Sequence, residues 1–190
     1  MLLNIYLVSH PIIKLLSNSI ITPKINQKHT YYLDYNHKYI GLFLIYETMR
    51  KYIDIQSMYV KKISYLQEIN LLNNKKEYYI ITNLVNTYHA IGDLQILIPN
   101  IKIINIDYNK QILKNKIEQE INPINKNQNI IIFTNILDEN WTIELINYLI
   151  TIKNITPKDI HLTCITCYNR ILEILGKKHP NLNVYTTKII

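Results

Sequence analysis

Residues 130–165 read IIIFTNILDENWTIELINYLITIKNITPKDIHLTCI, and this stretch decides the fold class. It begins with an apolar run, Ile130–Thr134, and ends with a second one, Ile160–Ile165. Between them, in Trp141–Lys153, apolar residues recur at helical spacing. Continuous apolar runs are typical of strands that are buried on both faces, and parallel strands need a connection of this length. The stretch therefore predicts a strand–helix–strand unit with parallel strands.

The same alternation extends toward both ends of the chain. Apolar, β-branched runs occupy Tyr79–Val85, Ile101–Ile106 and Leu182–Thr186. A helical pattern occupies Asn169–Lys178, with Gly176 near its expected end. Repeated alternation of strands and helices predicts an α/β domain, with a mainly parallel sheet and flanking helices.

The first third of the chain lacks this alternation. Apolar residues between Tyr31 and Tyr52 recur at helical spacing and predict a long amphipathic helix. Residues 54–77 are compatible with either a strand or a helix. The segment 109–128 is rich in Lys, Asn and Gln, and it predicts a polar loop or a short arm.

We expect a single domain over residues 1–190, because a chain of this length buries one core. Within it, residues 1–77 are expected to form an N-terminal helical or arm region, and residues 78–190 the βα core. Apolar runs such as Ile40–Tyr46 are shorter than the roughly 18 residues that a membrane-spanning helix requires, so we expect no membrane span. Met1–Leu16 is apolar but lacks the basic leader of a secretory signal.

The composition indicates the kind of genome that encodes the chain. Ile, Asn and Lys together account for 83 of 190 residues, whereas Ala occurs once and Arg twice. The first three have AT-rich codons and the last two have GC-rich codons, which indicates a compact organelle or endosymbiont genome. We expect a plastid-encoded protein of a red alga that functions in the plastid, the alternative being the cytoplasm of an AT-rich endosymbiont.

The net charge of +7 does not by itself indicate a nucleic-acid partner. Of the 21 cationic residues, 19 are lysines, and they are scattered along the chain. Nucleic-acid-binding modules more often cluster their cations, use arginine and interleave aromatic residues. We therefore do not expect nucleic-acid binding.

The two cysteines, Cys164 and Cys167, form a lone C-x-x-C. A zinc site needs two further ligands, and a redox pair needs its first thiol at a helix N-terminus. Cys164 instead lies in a predicted strand, so we expect two buried, reduced thiols.

Three stretches suggest a family. His10-Pro11 followed by an apolar pair is similar to the H-P-hydrophobic opening of uracil phosphoribosyltransferases. Residues 40–48, IGLFLIYET, resemble the V-G-x-L-L-x-Y-E-A stretch of their first long helix. Residues 178–186, KHPNLNVYT, resemble A-H-P-D-V-x-L-Y-T near their C-terminus. The chain thus resembles this family over nearly its whole length, although none of the three stretches is a catalytic motif.

The resemblance implies a type I phosphoribosyltransferase fold. It also implies an activity that joins uracil to phosphoribosyl pyrophosphate, with magnesium, to give UMP and pyrophosphate. The family usually forms homo-oligomers, so the resemblance implies a homo-oligomer here, while any other protein partner is unknown.

The first chemical motif of the family departs from its pattern in this sequence. The family's P-x-L-R-A-G turn, which helps to hold pyrophosphate, matches residues 83–88, NLVNTY. Asn86 replaces the arginine, Thr87 follows it, and Tyr88 replaces the glycine. A neutral amide does not provide the bidentate cation that binds phosphate well.

The second motif, hydrophobic-D-P-M-L-A-T-G-G-S, also departs from its pattern. It holds the ribose and the 5-phosphate in the family, and it matches residues 134–142, TNILDENWT. Thr134 replaces the acid, and Asn140 and Trp141 replace the glycines. Asp138 and Glu139 place negative charge where the phosphate would bind. A carboxylate roughly 5 Å from a phosphate charge repels it by about 3 kcal/mol at an effective dielectric constant near 20. The degenerate remnants of this turn are Thr134, Asn135, Asp138, Glu139, Asn140 and Thr142.

Several residues have both a functional and a structural interpretation. Lys110 matches a family arginine that meets pyrophosphate, but lysine is frequent in this chain. Asp138 and Glu139 fit the first turn of a helix better than they fit a paired-carboxylate site. Asp107, at a predicted strand end, binds a metal only if a second carboxylate faces it. We expect structural roles for Asp93 and for two histidines that precede proline, His10 and His179.

The sequence also ends at Ile190, shortly after the match to Y-T-A-S-I-D, where the family continues into a glycine-rich uracil-binding segment. We therefore expect a catalytically inactive homologue with no catalytic residues, no metal site and no cofactor, which keeps a binding or structural role. The alternatives are a working enzyme that needs magnesium and an interaction subunit of an organellar assembly.

Overall fold

A computed structural model describes residues 3–21, 30–73, 76–106, 117–118, 128–137 and 140–190 of the chain. The strands are β1 (Asn4–Leu7), β2 (Ile55–Lys61), β3 (Leu66–Leu72), β4 (Glu77–Thr82), β5 (Ile101–Asn105), β6 (Gln128–Leu137), β7 (Ile160–Cys167) and β8 (Asn183–Ile189). The helices are α1 (Pro11–Ile21), α2 (Thr30–Met49), α3 (Leu84–Ile91), α4 (Leu94–Leu97), α5 (Asn140–Thr151) and α6 (Asn169–Lys178).

Six strands form one sheet in the order β1-β8-β7-β6-β4-β5, and every neighbouring pair is parallel. The predicted α/β class, with its parallel sheet and flanking helices, is therefore confirmed. β2 and β3 form a separate antiparallel hairpin. Residues 54–77, which the sequence left open between a strand and a helix, therefore contain two strands.

Each face of the sheet has its own core. Side chains such as Ile132 and Leu162 point toward α5 and α6, and their neighbours Ile131 and Phe133 point toward α2 and α3. Because both faces are covered, the central strands lack polar alternation, as the sequence pattern predicted. One buried polar contact joins the layers, between the hydroxyls of Thr48 in α2 and Thr163 in β7, at 3.0 Å.

Helices α2 and α3 approach each other closely at Gly41. A Cβ atom at this position would be 2.2 Å from the carbonyl oxygen of Ala90 in α3. The glycine therefore lets α2 and α3 approach with their backbones in contact. This contact gives a physical role to the glycine of the IGLFLIYET stretch.

Several predicted boundaries were wrong. The strand predicted at Tyr79–Val85 ends at Thr82, because Asn83 accepts a hydrogen bond from Val85 N (3.0 Å) and begins α3. The N-terminal region contains the sheet strand β1 in addition to its helices, and the pattern did not predict this strand. By contrast, the helix predicted over Asn169–Lys178 is confirmed as α6, and Gly176 lies in its last turn. Most of the segment 109–128 lies outside the described residues.

Candidate functional site

The order of the strands creates one position where a parallel sheet ordinarily binds ligands. The chain passes from β4 to its neighbour β5, and then crosses back to β6 on the other side of β4. In open α/β sheets, ligands bind at the carboxyl ends of the strands where the order reverses in this way. We call the space at the ends of β4 and β6 the switch-point crevice.

The end of β4 is held by a buried hydroxyl network. The hydroxyl of Thr82, which is fully buried, lies 2.8 Å from that of Thr87 and donates to the carbonyl of Phe133 at 2.8 Å. Thr87 also donates to the carbonyl of Asn83 at 2.8 Å. These bonds join β4, the start of α3 and β6, so they leave the two hydroxyls engaged by the protein itself.

A side chain of β6 bridges the crevice. Asn135 donates from Nδ2 to the carbonyl oxygen of Asn86 at 2.6 Å, which connects the end of β6 to the first turn of α3. The other amide atom, Oδ1 of Asn135, is buried and has no hydrogen-bond partner among the described residues. The two residues that align with the acid-bearing and arginine-bearing turns thus contact each other.

β6 continues as a regular strand beyond the end of β4. It pairs with β7 as far as Leu137 opposite Cys167, whereas its pairing with β4 ends at Phe133. The hydroxyl of Thr134 donates to the carbonyl of Ile136 at 2.9 Å. Residues 134–137 therefore extend the sheet in the place where the family has a substrate loop.

The remaining predicted site residues lie away from the switch-point crevice or outside the described residues. Thr142 is buried inside α5. Asn140 begins α5, but its side chain is not described. Three more predicted residues and one candidate metal ligand fall outside the described residues: Lys110, Asp138, Glu139 and Asp107.

The described crevice carries no charge. Residues 82–87 and 134–137 read TNLVNT and TNIL, which are neutral at pH 7. Magnesium prefers carboxylates and phosphates as ligands, and these segments offer only amides and hydroxyls. Nor do three or more His, Cys, Asp or Glu residues come together as a metal site within the described ranges.

Sequence reasoning missed three residues that shape the crevice. Asn105, at the end of β5, accepts a hydrogen bond from Leu84 N at 2.9 Å and so helps to begin α3. Thr82 and Asn83 end the apolar run of β4. The sequence did contain a signal for the start of α3, because Asn83 follows Thr82, precedes an apolar helical segment and is a preferred type of N-cap residue.

A second polar cluster, also missed, lies at the amino ends of β7 and β8. His161 is fully buried and stacks on Tyr52 with a centroid distance of 4.0 Å. Burial lowers the pKa of His161 to about 4. Burial, with the Tyr52 hydroxyl next in effect, raises the pKa of the neighbouring Tyr185. The imidazole is therefore neutral at pH 7, and its Nε2 has no partner.

The cysteines and the two His-Pro steps have the predicted structural character. Cys164 and Cys167 are free, buried thiols in β7, and burial raises the pKa of Cys164 well above its usual value. Nδ1 of His10 accepts from Ile12 N at 3.3 Å in the first turn of α1. His179 ends α6, with Nε2 2.6 Å from Oδ1 of Asn147.

The fold and the crevice define the class as an α/β protein with a phosphoribosyltransferase-like parallel sheet. The structure of the AQ2163 protein from Aquifex aeolicus has this fold, with a TM-score of 0.71 and 18% identity, over 97% of this chain and 86% of that one.

Two relatives identified by sequence give a more specific comparison than the fold does. The chain is 25% identical over 150 residues to the uracil phosphoribosyltransferase homolog of Porphyra purpurea, over 79% of this chain and 71% of the relative. The homolog of Pyropia yezoensis matches with the same identity and coverage. Both organisms are red algae. No family model matches the chain. The resemblance to uracil phosphoribosyltransferases that the motifs predicted is thereby confirmed.

Among the described helices, none is both long and apolar enough to cross a membrane.

Proposed function

We propose that this protein does not transfer a phosphoribosyl group and that it has kept the fold for a binding or structural role. The observation that carries the proposal is the bridge from Asn135 to the carbonyl of Asn86, across the position where substrate would enter. A ligand between Asn135 and Asn86 has to break that hydrogen bond.

The electrostatics of the crevice support the same proposal. Phosphate sites combine cations, free backbone N–H groups and close-approaching glycines. At the end of β4, the N–H of Val85 is already bonded to the Asn83 side chain, and that of Leu84 to Asn105. The start of α3 is thus satisfied by the protein's own amides. We expect no bound magnesium, because only a working phosphoribosyltransferase needs it.

An activity assay tests the proposal. Purified protein incubated with uracil, phosphoribosyl pyrophosphate and magnesium is expected to form UMP at less than about one turnover per minute, against roughly 1 to 1000 per second for typical enzymes. A working uracil phosphoribosyltransferase serves as the positive control under identical conditions. Faster turnover contradicts the proposal and favours the working enzyme.

Thermal denaturation provides a second readout that does not require chemistry. A ligand that binds only the native state raises the melting temperature. Phosphoribosyl pyrophosphate with magnesium is therefore expected to leave the melting temperature unchanged. A rise that saturates with ligand concentration contradicts a closed crevice.

We further propose that the protein forms a homo-oligomer through the β2–β3 hairpin. Register places Met58 opposite Ile69, with Val60 and Leu71 on the same face, and Met58, Val60 and Leu71 are exposed. A two-stranded hairpin is marginally stable without a packing partner.

A pair of variants tests this interface. Met58→Asp places a charge on the apolar face and is expected to convert the oligomer to monomer in sedimentation velocity. Ser57→Asp, one residue away on the opposite face of the hairpin, is the matched control and is expected to remain oligomeric. A wild-type monomer at tens of micromolar, or equal behaviour of both variants, contradicts the interface.

The AT-rich composition and the red-algal relatives support a plastid-encoded protein that functions in the plastid. Immunodetection in fractionated red-algal cells that carry this gene tests the location. Signal confined to the cytosol contradicts it.

A further inference from the structure

No described segment of the chain pairs with the outer edge of β1. Asn4 N donates to Leu182 O at 3.2 Å and Val8 N donates to Thr186 O at 2.8 Å. Backbone groups alternate in direction along a strand, so the N–H and C=O groups of Ile5 and Leu7 point away from the sheet. Both side chains are exposed, at 42% and 55%. The edge is therefore a free template for one more strand.

A cavity lies on each face of the sheet beside this edge. On the face of α2, a cavity of about 600 Å³ has Tyr6, Phe43, Tyr46, Arg50 and Lys51 among its lining residues. On the face of α6, a cavity of about 650 Å³ has Leu3, Leu172, Lys177 and Pro180 among its lining residues. Ile5 lines both cavities. Successive side chains of an added strand would enter these two cavities in turn.

The charges around the edge identify the kind of occupant. Lys51 lies over the ring of Tyr6, 4.8 Å from its centroid. Neither Lys51 nor Lys177 forms an ion pair within the described part of the chain. Glu47 Oε1 lies 3.6 Å from Arg50 Nη1, and Glu173, which accepts from Asn169 at 2.9 Å, offsets the charge of Lys177. Lys51 is left without a matching acid among the lining residues of the two cavities. The edge therefore presents net positive charge.

This charge disfavours a second copy of the chain as occupant. Antiparallel pairing of β1 with its own copy, about an axis perpendicular to the sheet, places both Lys51 side chains on the same face. An acidic partner instead gains from the positive charge at this edge.

We propose that the β1 edge binds an extended, acidic segment of another protein as an additional strand, with apolar side chains that alternate between the two cavities. Strand addition of this kind takes its affinity from main-chain hydrogen bonds and its specificity from pockets for alternate side chains. The site is separate from the switch-point crevice, so it does not depend on whether the crevice is active.

The first test uses a defined probe. The acetylated and amidated peptide Asp-Glu-Ile-Phe-Val-Leu-Glu-Asp is expected to bind the whole protein in fluorescence anisotropy, more weakly as salt rises. Lys-Lys-Ile-Phe-Val-Leu-Lys-Lys, with the same apolar core, is expected to bind at least about tenfold more weakly. Absence of binding by the acidic peptide, or equal binding of both, overturns the proposal.

Two variants at one residue test the geometry. Ile5→Pro removes an N–H that faces solvent, a position where an edge strand tolerates proline, and is expected to weaken acidic-peptide binding at least about tenfold. Ile5→Ala keeps the N–H and is expected to weaken binding less than Ile5→Pro does. Circular dichroism and melting temperature confirm that both variants fold. Equal weakening by the two variants overturns strand addition.

Hydrogen exchange and sedimentation complete the design. The acidic peptide is expected to slow amide exchange at Ile5 and Leu7 while leaving the hairpin unchanged. If the wild-type protein instead self-associates and Ile5→Pro abolishes that association, the occupant is a second copy, and the proposal is overturned.

Discussion

Replacing Gly41 with alanine is expected to destabilise the protein by about 3 kcal/mol. We expect no larger effect from any other addition of a single methyl group. The new Cβ would lie 2.2 Å from the Ala90 carbonyl oxygen and 2.8 Å from its carbonyl carbon. These contacts are with backbone, so no rotamer change relieves them. The two helices have to move apart, and their buried neighbours lose packing.

Equilibrium unfolding in urea and the melting temperature measure this effect. A loss of about 3 kcal/mol corresponds to a fall of roughly 6 to 12 °C for a domain of this size. Gly176→Ala is the matched control, because its Cβ would meet only Leu3 Cβ, at an ordinary 3.7 Å. Alanine has the higher helix propensity, so this variant is expected to gain about 0.5 kcal/mol. Equal effects of the two substitutions contradict the close approach of α2 and α3.

Acidification from pH 6.5 to pH 4 is expected to remove about 3 kcal/mol of stability through His161 alone. Burial lowers the pKa of His161 from 6.5 to about 4. Below pH 6.5 the unfolded chain therefore takes up a proton that the folded protein still excludes. Stability is complete above pH 6.5 and falls progressively as the pH approaches 4.

His161→Phe tests the origin of this dependence. Phenylalanine keeps a ring against Tyr52 and removes the buried Nε2 that lacks a partner. The variant is expected to resemble the wild type at pH 7 and to be more stable than it at pH 4.5, in denaturant titrations at both pH values. Burial also lowers the pKa values of His37 and His179, so some pH dependence remains in the variant. If His161→Phe keeps the full wild-type difference in stability between pH 7 and pH 4.5, the imidazole does not carry the effect.

The helical and strand patterns predicted most of the fold, for reasons that single residues illustrate. Ile131 and Ile132 point to opposite faces, yet both are buried, so a continuous apolar run was the correct signal for a strand in a parallel sheet. β1 gave no comparable signal, because all four of its residues are exposed at the sheet edge. An edge strand depends on its neighbour β8, and that pairing is not visible in local sequence.

The crevice was partly predictable. The motif matches identified Asn86 and Asn135 as replaced positions, but residue identity does not reveal that their groups bond to each other across two strands. His161 was missed because an isolated histidine in an apolar run has no local signal for burial. Burial lowers its pKa, and two of the rings that pack against it are distant in sequence: Tyr52, which follows α2, and Tyr185 in β8.

The α/β class, the family resemblance and the replacement of the arginine, the acid and the glycines in the turns that hold substrate in that family were all readable from the sequence. These properties depend on residue type, on periodicity and on linear motifs. Tertiary structure alone decided that the switch-point crevice is bridged, that α2 and α3 touch at Gly41 and that β1 leaves an open edge. Each of these depends on which segments pack together, because distances between groups remote in sequence are fixed only when the chain has folded.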